Sequence, residues 1–288
     1  MTAAVLSWAL AQLSAGHRIV LASVVETSGS VPGKVGARLA MSSDGEWVGT
    51  VGGAGLEMKV LSHCRNLLQD HFQATGAIHR FGLYKGAKGY EVTPLDSLCG
   101  GHVTLSLEVM IPMPHVLLMG GGHCGQALAS SLDALGWQHS VHDTRSEFCN
   151  ESLYPNAVER SATSVAEYFD GETSESLCRF SDVLLLGHDW SEDQERLVSL
   201  LSRFQQSNSL LDGRDGPRIG VIGSRSKWQA FEKACIEEGI SQSLLDSVIC
   251  PIGLNIGAET PEEIAVAVVG QILASFKNID ATKPSWRS

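Results

Sequence analysis

The stretch that most constrains this chain is Gly120-Gly121-Gly122-His123-Cys124-Gly125, a G-x-G-x-x-G that follows the apolar run HVLLMG and opens the helix-like GGHCGQALASSLDALG. Glycines in that order and context dictate strand, tight turn and helix. Gly120 permits the turn, Gly122 lets an anion approach the backbone, and Gly125 lets helix and strand pack closely; the helix N-terminus offers N–H groups to such an anion. The next strand, QHSVHDTR, ends at Asp143, 18 residues past Gly125, where a carboxylate can accept hydrogen bonds from ribose hydroxyls. Arg145 either meets a phosphate or pairs with Asp143. DVLLLGHD and PRIGVIGSR are two further apolar runs, and EDQERLVSLLSRF, KWQAFEKACIEEG and PEEIAVAVVGQILASF have helical spacing. Thr260 and Pro261 mark the start of the last helix. Alternating strands and helices imply a Rossmann-like, doubly wound parallel sheet with any ligand at the strands' carboxyl ends. The glycine turn itself is open to two readings, a seat for a phosphate-bearing ligand or a purely structural turn.

The region before it has a different texture. A helical segment near residues 3–15 leads into the strand-like IVLASVVET, then short β-like pieces (ARLAMSS, EWVGTV) separated by glycine turns. MKVLSHCRNLLQDHF has helical periodicity, a loop follows around Lys85–Gly89, and CGGHVTLSLEV reads as a final strand. The expected fold is therefore α/β: a small N-terminal α+β domain over 1–110, a proline-bearing linker (IPMP) at 111–114, the Rossmann-like domain over 115–276 and a tail at 277–288. Two loops of the first domain stand out. Thr27-Ser28-Gly29-Ser30-Val31-Pro32-Gly33 could form a backbone nest for an anion, and Thr50-Val51-Gly52-Gly53-Ala54-Gly55-Leu56-Glu57 runs into a helix. Both also read as ordinary tight turns, with Glu57 favoured by the helix dipole. Cys99-Gly100-Gly101 places a thiol in a glycine turn, either buried or open to a ligand. Cys124, in the first turn of the Rossmann helix, is either activated by the dipole or packed.

Composition narrows the class. A net charge of −11 argues against nucleic acid as a partner. No apolar run reaches the roughly 18–20 residues of a membrane helix, and the N-terminus lacks the basic stretch of a secretion signal. The seven cysteines are scattered and never CxxC, as expected of a reduced, cytoplasmic protein with no dedicated metal site. A dehydrogenase would need a placed acid or base. His188, at a strand end, is the one candidate, and the neighbouring Asp189 and Asp193 read as loop and helix-capping residues. No catalytic constellation accompanies them.

The segments VVETSGSVPGKVGARL, GTVGGAGLE, LCGGHVTLSLEV, HVLLMGGGHCGQALASSLDALGWQHSVHDTR, RIGVIGSRSKW and CPIGLNIGAETPEEIAVAV occur in that order from about residue 5 to 275. Together they resemble the XdhC/CoxI family, accessory proteins of xanthine dehydrogenase and related molybdenum hydroxylases. The resemblance implies a non-enzymatic chaperone. It would bind the molybdenum cofactor (molybdopterin) as cargo, hold it while a cysteine desulfurase installs its sulfido ligand, and deliver it to apo-xanthine dehydrogenase or a related hydroxylase. It places the family's motifs on Ser28, Gly29 and Ser30; on Gly52, Gly53 and Glu57; on Cys99, Gly100 and Gly101; on Gly120, Gly122 and Gly125; and on Gly223, Ser224, Arg225 and Lys227. Many members read GGGC-L-E where this chain has Gly53-Ala54-Gly55-Leu56-Glu57, so a thiol available in them is missing here. A homodimer is compatible with such a protein. The rival reading is an NAD(P)-dependent oxidoreductase with His188 as its acid/base.

Overall fold

The computed structural model describes residues 2–69, 75–83, 92–94, 100–207 and 216–283; the expected loop at Lys85–Gly89 and Cys99 lie outside them. The chain divides into two compact units, Met1–Pro112 and Met113–Ser288.

The first unit contains α1 (Thr2–Ser14), β1 (Ile19–Ser28), β2 (Arg38–Ser42), β3 (Trp47–Gly49), α2 (Ala54–Gln69), β4 (Gly76–Gly82), β5 (Val92–Pro94) and β6 (His102–Met110). The strands form one sheet in the order β3-β2-β1-β6-β4-β5. All neighbours are antiparallel except β4 and β5. Alternation decides the faces. Val20, Ala22 and Val24 of β1, with Leu105 and Leu107 of β6, meet Leu56, Val60 and Leu61 of α2 in the main core. Ile19 and Leu21 point the other way, against Val5 and Ala9 of α1. Strand β4 is absent from the sequence expectation for a physical reason: it buries Phe81 but exposes Ile78, so its apolar pattern is broken.

The second unit contains β7 (His115–Met119), α3 (His123–Ala134), β8 (Gln138–His142), a 3₁₀ turn (Ser146–Phe148), β9 (Arg160–Ser161), α4 (Val165–Asp170), α5 (Ser174–Leu177), β10 (Asp182–Leu185), α6 (Trp190–Ser207), β11 (Arg218–Val221), α7 (Arg225–Glu237), α8 (Gln242–Leu245) and α9 (Pro261–Phe276). Its strands are all parallel, in the order β11-β10-β7-β8-β9. Leu117, Met119, Val183 and Leu185 pack on one face with α4 to α8. Val116, Leu118 and Leu184 pack on the other with α3 and α9. This is the expected Rossmann-like doubly wound sheet, with strands buried on both faces and hence almost wholly apolar. Helix α9 starts as its sequence implies: Thr260 Oγ1 accepts from the Glu263 N–H at 3.2 Å, and Glu263 accepts in return from the Thr260 N–H at 3.0 Å. β9, α4 and α5 were not expected, since elements of two to six residues are too short to show a period. Among the described residues no helix is long and apolar enough to cross a membrane.

Two histidines sit in the walls of this sheet. His115 Nε2 lies 2.8 Å from Ser140 Oγ, and His142 Nε2 donates to the Thr163 carbonyl at 3.0 Å. Burial pushes both imidazoles down to about 4, with the charges of Arg179 and Arg196 acting in the same direction on His115 and His142 respectively. In an unfolded chain both would titrate near 6.5. Below that pH the unfolded state takes up protons that the folded state refuses, so stability is full above about 6.5 and declines until about pH 4. We expect each histidine to contribute a loss of about 3 kcal/mol across that window. Urea midpoints at pH 7 and pH 5 check this: His142→Gln should flatten the decline, and an unchanged decline in that variant would refute the assignment.

Candidate functional site

In the first unit the glycine segments pack backbone against backbone. Gly29 sits at φ +71°, and a Cβ built on it would lie 3.0 Å from Gly101 Cα. A Cβ on Gly101 would stand 2.4 Å from the Ser28 carbonyl oxygen and 2.8 Å from that of Ser30. A Cβ on Gly33 would come within 2.3 Å of the Val51 oxygen, and one on Gly52 within 2.5 Å of the Gly33 nitrogen. Segments 28–33, 51–53 and 100–101 thus touch through atoms that no side chain could separate. Gly100, next in sequence to Cys99, is exposed and would carry a Cβ into open space. Glu57 is held back from solvent chemistry, since its Oε1 accepts from the Thr50 hydroxyl. The second loop therefore leads into α2 with its acidic residue tied to the loop's own threonine.

In the second unit the carboxyl ends of β7 and β10 meet at the topological switch point, where β8 lies on one side of β7 and β10 on the other. A Cβ on Gly120 would lie 2.7 Å from the Leu186 carbonyl carbon, so the two loops are in contact there. A Cβ on Gly125 would lie 2.4 Å from the Gly120 oxygen, which is the close helix–strand approach expected of it. Gly122 meets nothing within 4 Å and leaves α3 without a side-chain cap. The unexpected position is Gly121, whose Cβ would fall 1.9 Å from the Phe148 carbonyl oxygen.

Asp143 is fully engaged within the protein. Its side chain is 2% exposed, and Oδ2 accepts from the Gly121 N–H and Arg145 Nη2, at 2.8 and 2.9 Å. Oδ1 accepts from Arg145 Nε at 2.9 Å and the Arg145 N–H at 3.0 Å. Burial raises the carboxyl pKa, but these donors, led by the Arg145 side chain, outweigh it and hold the group below the usual range. Of the two roles open to Arg145, the structure has the pairing one, with its guanidinium also 4.1 Å from the Phe148 ring centre. Asp143 thus braces the glycine turn, and one N–H that could have faced an anion is already used.

Beside it lies a second network. Asp193, wholly buried, accepts from the Gly187 N–H (3.1 Å) and Arg196 Nη1 (3.0 Å) on Oδ1, and from Lys227 Nζ (2.9 Å) on Oδ2. Lys227 also donates to the Ile222 carbonyl at 3.2 Å. Glu192 joins Arg196 to Thr144. Of the Gly223–Lys227 segment, Gly223 lies against the Lys227 side chain, Ser224 caps α7 and Lys227 is tied inward, while Arg225 is exposed. His188 is exposed, and Asp189 accepts from the Ser191 N–H and hydroxyl at the start of α6. The described cysteines are free thiols. Burial, with the charge of Glu262, pushes the Cys124 thiol up, which favours packing over activation.

Sequence reasoning missed one group apart from its Ser28. Glu26, Ser28, Arg80, His102 and Thr104 line an open cavity of about 170 Å³ on the first unit's sheet, next to the glycine stack. Its signal was polar residues in otherwise apolar strands.

Family models agree with this architecture. The model described as the XdhC Rossmann domain matches residues 116–272, and that of the XdhC and CoxI family matches residues 12–82. The uncharacterized protein YqeB of Escherichia coli K12 is 31% identical over 258 residues, covering 90% of this chain and 43% of that protein. A probable xanthine dehydrogenase subunit of Bacillus subtilis 168 is 29% identical over 168 residues, covering 58% of this chain and 44% of its own. The chain spans less than half the length of these curated relatives. A solved structure described as a xanthine dehydrogenase from Bacillus halodurans aligns over 96% of this chain and 97% of its own, at 18% identity and a TM-score of 0.46. The NAD(P)-binding domain of an Archaeoglobus fulgidus exopolyphosphatase-related protein aligns over 46% of this chain and 94% of its own, at 19% identity and a TM-score of 0.32. The glycine segments at 28–33, 52–57 and 120–125 therefore fall within matched models, and the chain belongs to the XdhC and CoxI family.

Proposed function

We propose that this chain is an accessory protein of a xanthine dehydrogenase-type molybdenum hydroxylase, and that it carries the molybdenum cofactor as cargo. It would dock a cysteine desulfurase and then the apo-hydroxylase. The observation that carries the reading is the bare-backbone contact of Gly29, Gly33, Gly52 and Gly101 beside the exposed Gly100. These contacts lock the loops together and leave Gly29, Gly53 and Gly100 exposed at their edge, where a large, flat, phosphate-bearing molecule can approach main-chain atoms without side chains intervening. Cys99, adjacent in sequence to Gly100, is the thiol we assign to the molybdenum end.

The same geometry weighs against the NAD(P) oxidoreductase alternative. A carboxylate that serves ribose must keep a lone pair available, and those of Asp143 are committed to Gly121 and Arg145. Titration with NADH should therefore show no saturable site; a saturable one would restore that reading.

The direct test is anaerobic mixing with molybdenum cofactor, gel filtration, and quantification of bound pterin by its fluorescent oxidation product. Stoichiometric pterin on the natural protein, lost in Cys99→Ala, is the expected result. Retention by the variant would remove Cys99 from the site but keep the carrier. No pterin on either protein would refute the carrier.

A further inference from the structure

Strand β1 contains an irregularity whose effect falls on one residue. Val20, Ala22 and Val24 alternate into the core beneath α2, and an uninterrupted strand would send Glu26 and Ser28 there as well. The register instead shifts between Val24 and Glu26: Val24 pairs with Leu105 and Glu26 with its neighbour Thr104. Two steps along β1 thus match one along β6, which is a β-bulge, and a bulge re-aims every side chain beyond it. Thr27 takes the core side opposite Val103, while Glu26 and Ser28 turn onto the opposite face with Thr104 and His102. Arg80 of β4 pairs with Thr104 from the other side.

The result is a row Glu26–Thr104–Arg80 across three adjacent strands. Its ends are about 10 Å apart at the backbone, from two interstrand spacings. Thr104 Oγ1 lies 3.4 Å from Glu26 Oε2. Among the described residues neither Glu26 nor Arg80 enters a salt bridge. Helix α1 packs on β1, β2 and β3, away from the β6–β4 side of this face. A bulge that sets a carboxylate and a guanidinium, neither in an ion pair among the described residues, at either end of a hydroxyl-floored cavity has moved charge out of the core and onto a shared surface.

We propose that this cavity binds a flat 2-amino-4-oxopyrimidine ring, of the kind found in pterins and guanine. Glu26 would accept from its amino and ring N–H edge, Arg80 would donate to its carbonyl or to an attached phosphate, and Ser28 and Thr104 would line the floor. A carboxylate takes an amidine-like edge with two parallel charge-assisted bonds, as it takes a guanidinium. The volume of about 170 Å³ suits one ring system rather than a whole dinucleotide, since drug-sized pockets run to about 300 Å³ and more. Ser28 is the last residue of β1 and opens the glycine turn that lies on Gly101. This inference rests on the carrier reading only in identifying the ring as the pterin end of the cargo.

The test titrates the full chain with free pterin by fluorescence, and separately with GMP, in the natural protein, Glu26→Gln and Arg80→Met. Circular dichroism and thermal midpoints confirm that these surface variants fold. Saturable pterin binding, weakened at least tenfold by Glu26→Gln, is expected; equal binding by that variant overturns the site. Preference for GMP with the same Glu26 dependence supports the pocket and assigns it to a guanine nucleotide. No binding of either probe overturns it. The same variants in the cofactor gel-filtration assay separate the two ideas. A natural protein that carries the cofactor no better than Glu26→Gln does keeps the carrier and removes the pocket. Pterin bound through Glu26 without cofactor carriage does the reverse.

Discussion

Replacing Asp193 with alanine should destabilise the Rossmann unit by about 3–5 kcal/mol, the usual result of removing one partner from a buried charge cluster. Arg196 is 1% exposed and Lys227 19% exposed, so neither cation could regain full hydration after the change. The Gly187 N–H would also lose its acceptor. For a unit of this size such a loss lowers the thermal midpoint by roughly 10 °C. Asp193→Asn, which keeps an acceptor oxygen but no charge, should fall between the two. Urea unfolding followed by far-ultraviolet circular dichroism checks the series, and an alanine variant within about 1 kcal/mol of the natural protein would show that the network is solvated after all. The network also anchors the carboxyl ends of β10 and β11 to α6 and α7, so its loss should loosen the edge of the sheet where ligands bind in this fold.

Gly121→Ala and Gly122→Ala, one residue apart, should differ sharply. At Gly121 the new methyl would sit 1.9 Å from the Phe148 carbonyl oxygen, backbone against backbone, and relief requires moving the Ser146–Phe148 turn together with the Asp143–Arg145 clasp. A cost of about 3 kcal/mol or more follows from overpacking of this kind. At Gly122 the methyl meets nothing within 4 Å, and φ of −70° suits alanine. That variant should fold with nearly natural stability, within about 0.5–1 kcal/mol. It would also obstruct any anion approaching the start of α3. Paired thermal melts decide the structural half of this prediction, and equal melting of the two variants would contradict it.

The order of elements in the Rossmann unit was legible in the chain because apolar runs, glycine turns and helix caps are local signals. Thr260 and Glu263 cap α9 through contacts three residues apart, and such motifs survive in any context. The pairing of the first unit's strands was less legible, since β4 and β5 join a sheet whose other members come from far along the chain. The glycine segments were visible one by one. That 28–33 rests on 51–52 and 100–101 was not, because a glycine kept for a close approach looks in sequence like one kept for a turn.

The sequence by itself determined the doubly wound sheet, the G-x-G-x-x-G turn at 120–125 and the glycine pattern that marks the family, all of which follow from neighbours within a few residues. Only the tertiary structure decided how three of the residues are used. Gly121 must be glycine because a carbonyl 27 residues later presses on it. Asp143 braces that turn because Arg145 and the Gly121 N–H take all its lone-pair directions. Glu26 faces outward because one extra residue in β1 reverses the alternation that would have buried it. Each outcome depends on groups brought together by the fold, and a local pattern carries no record of them.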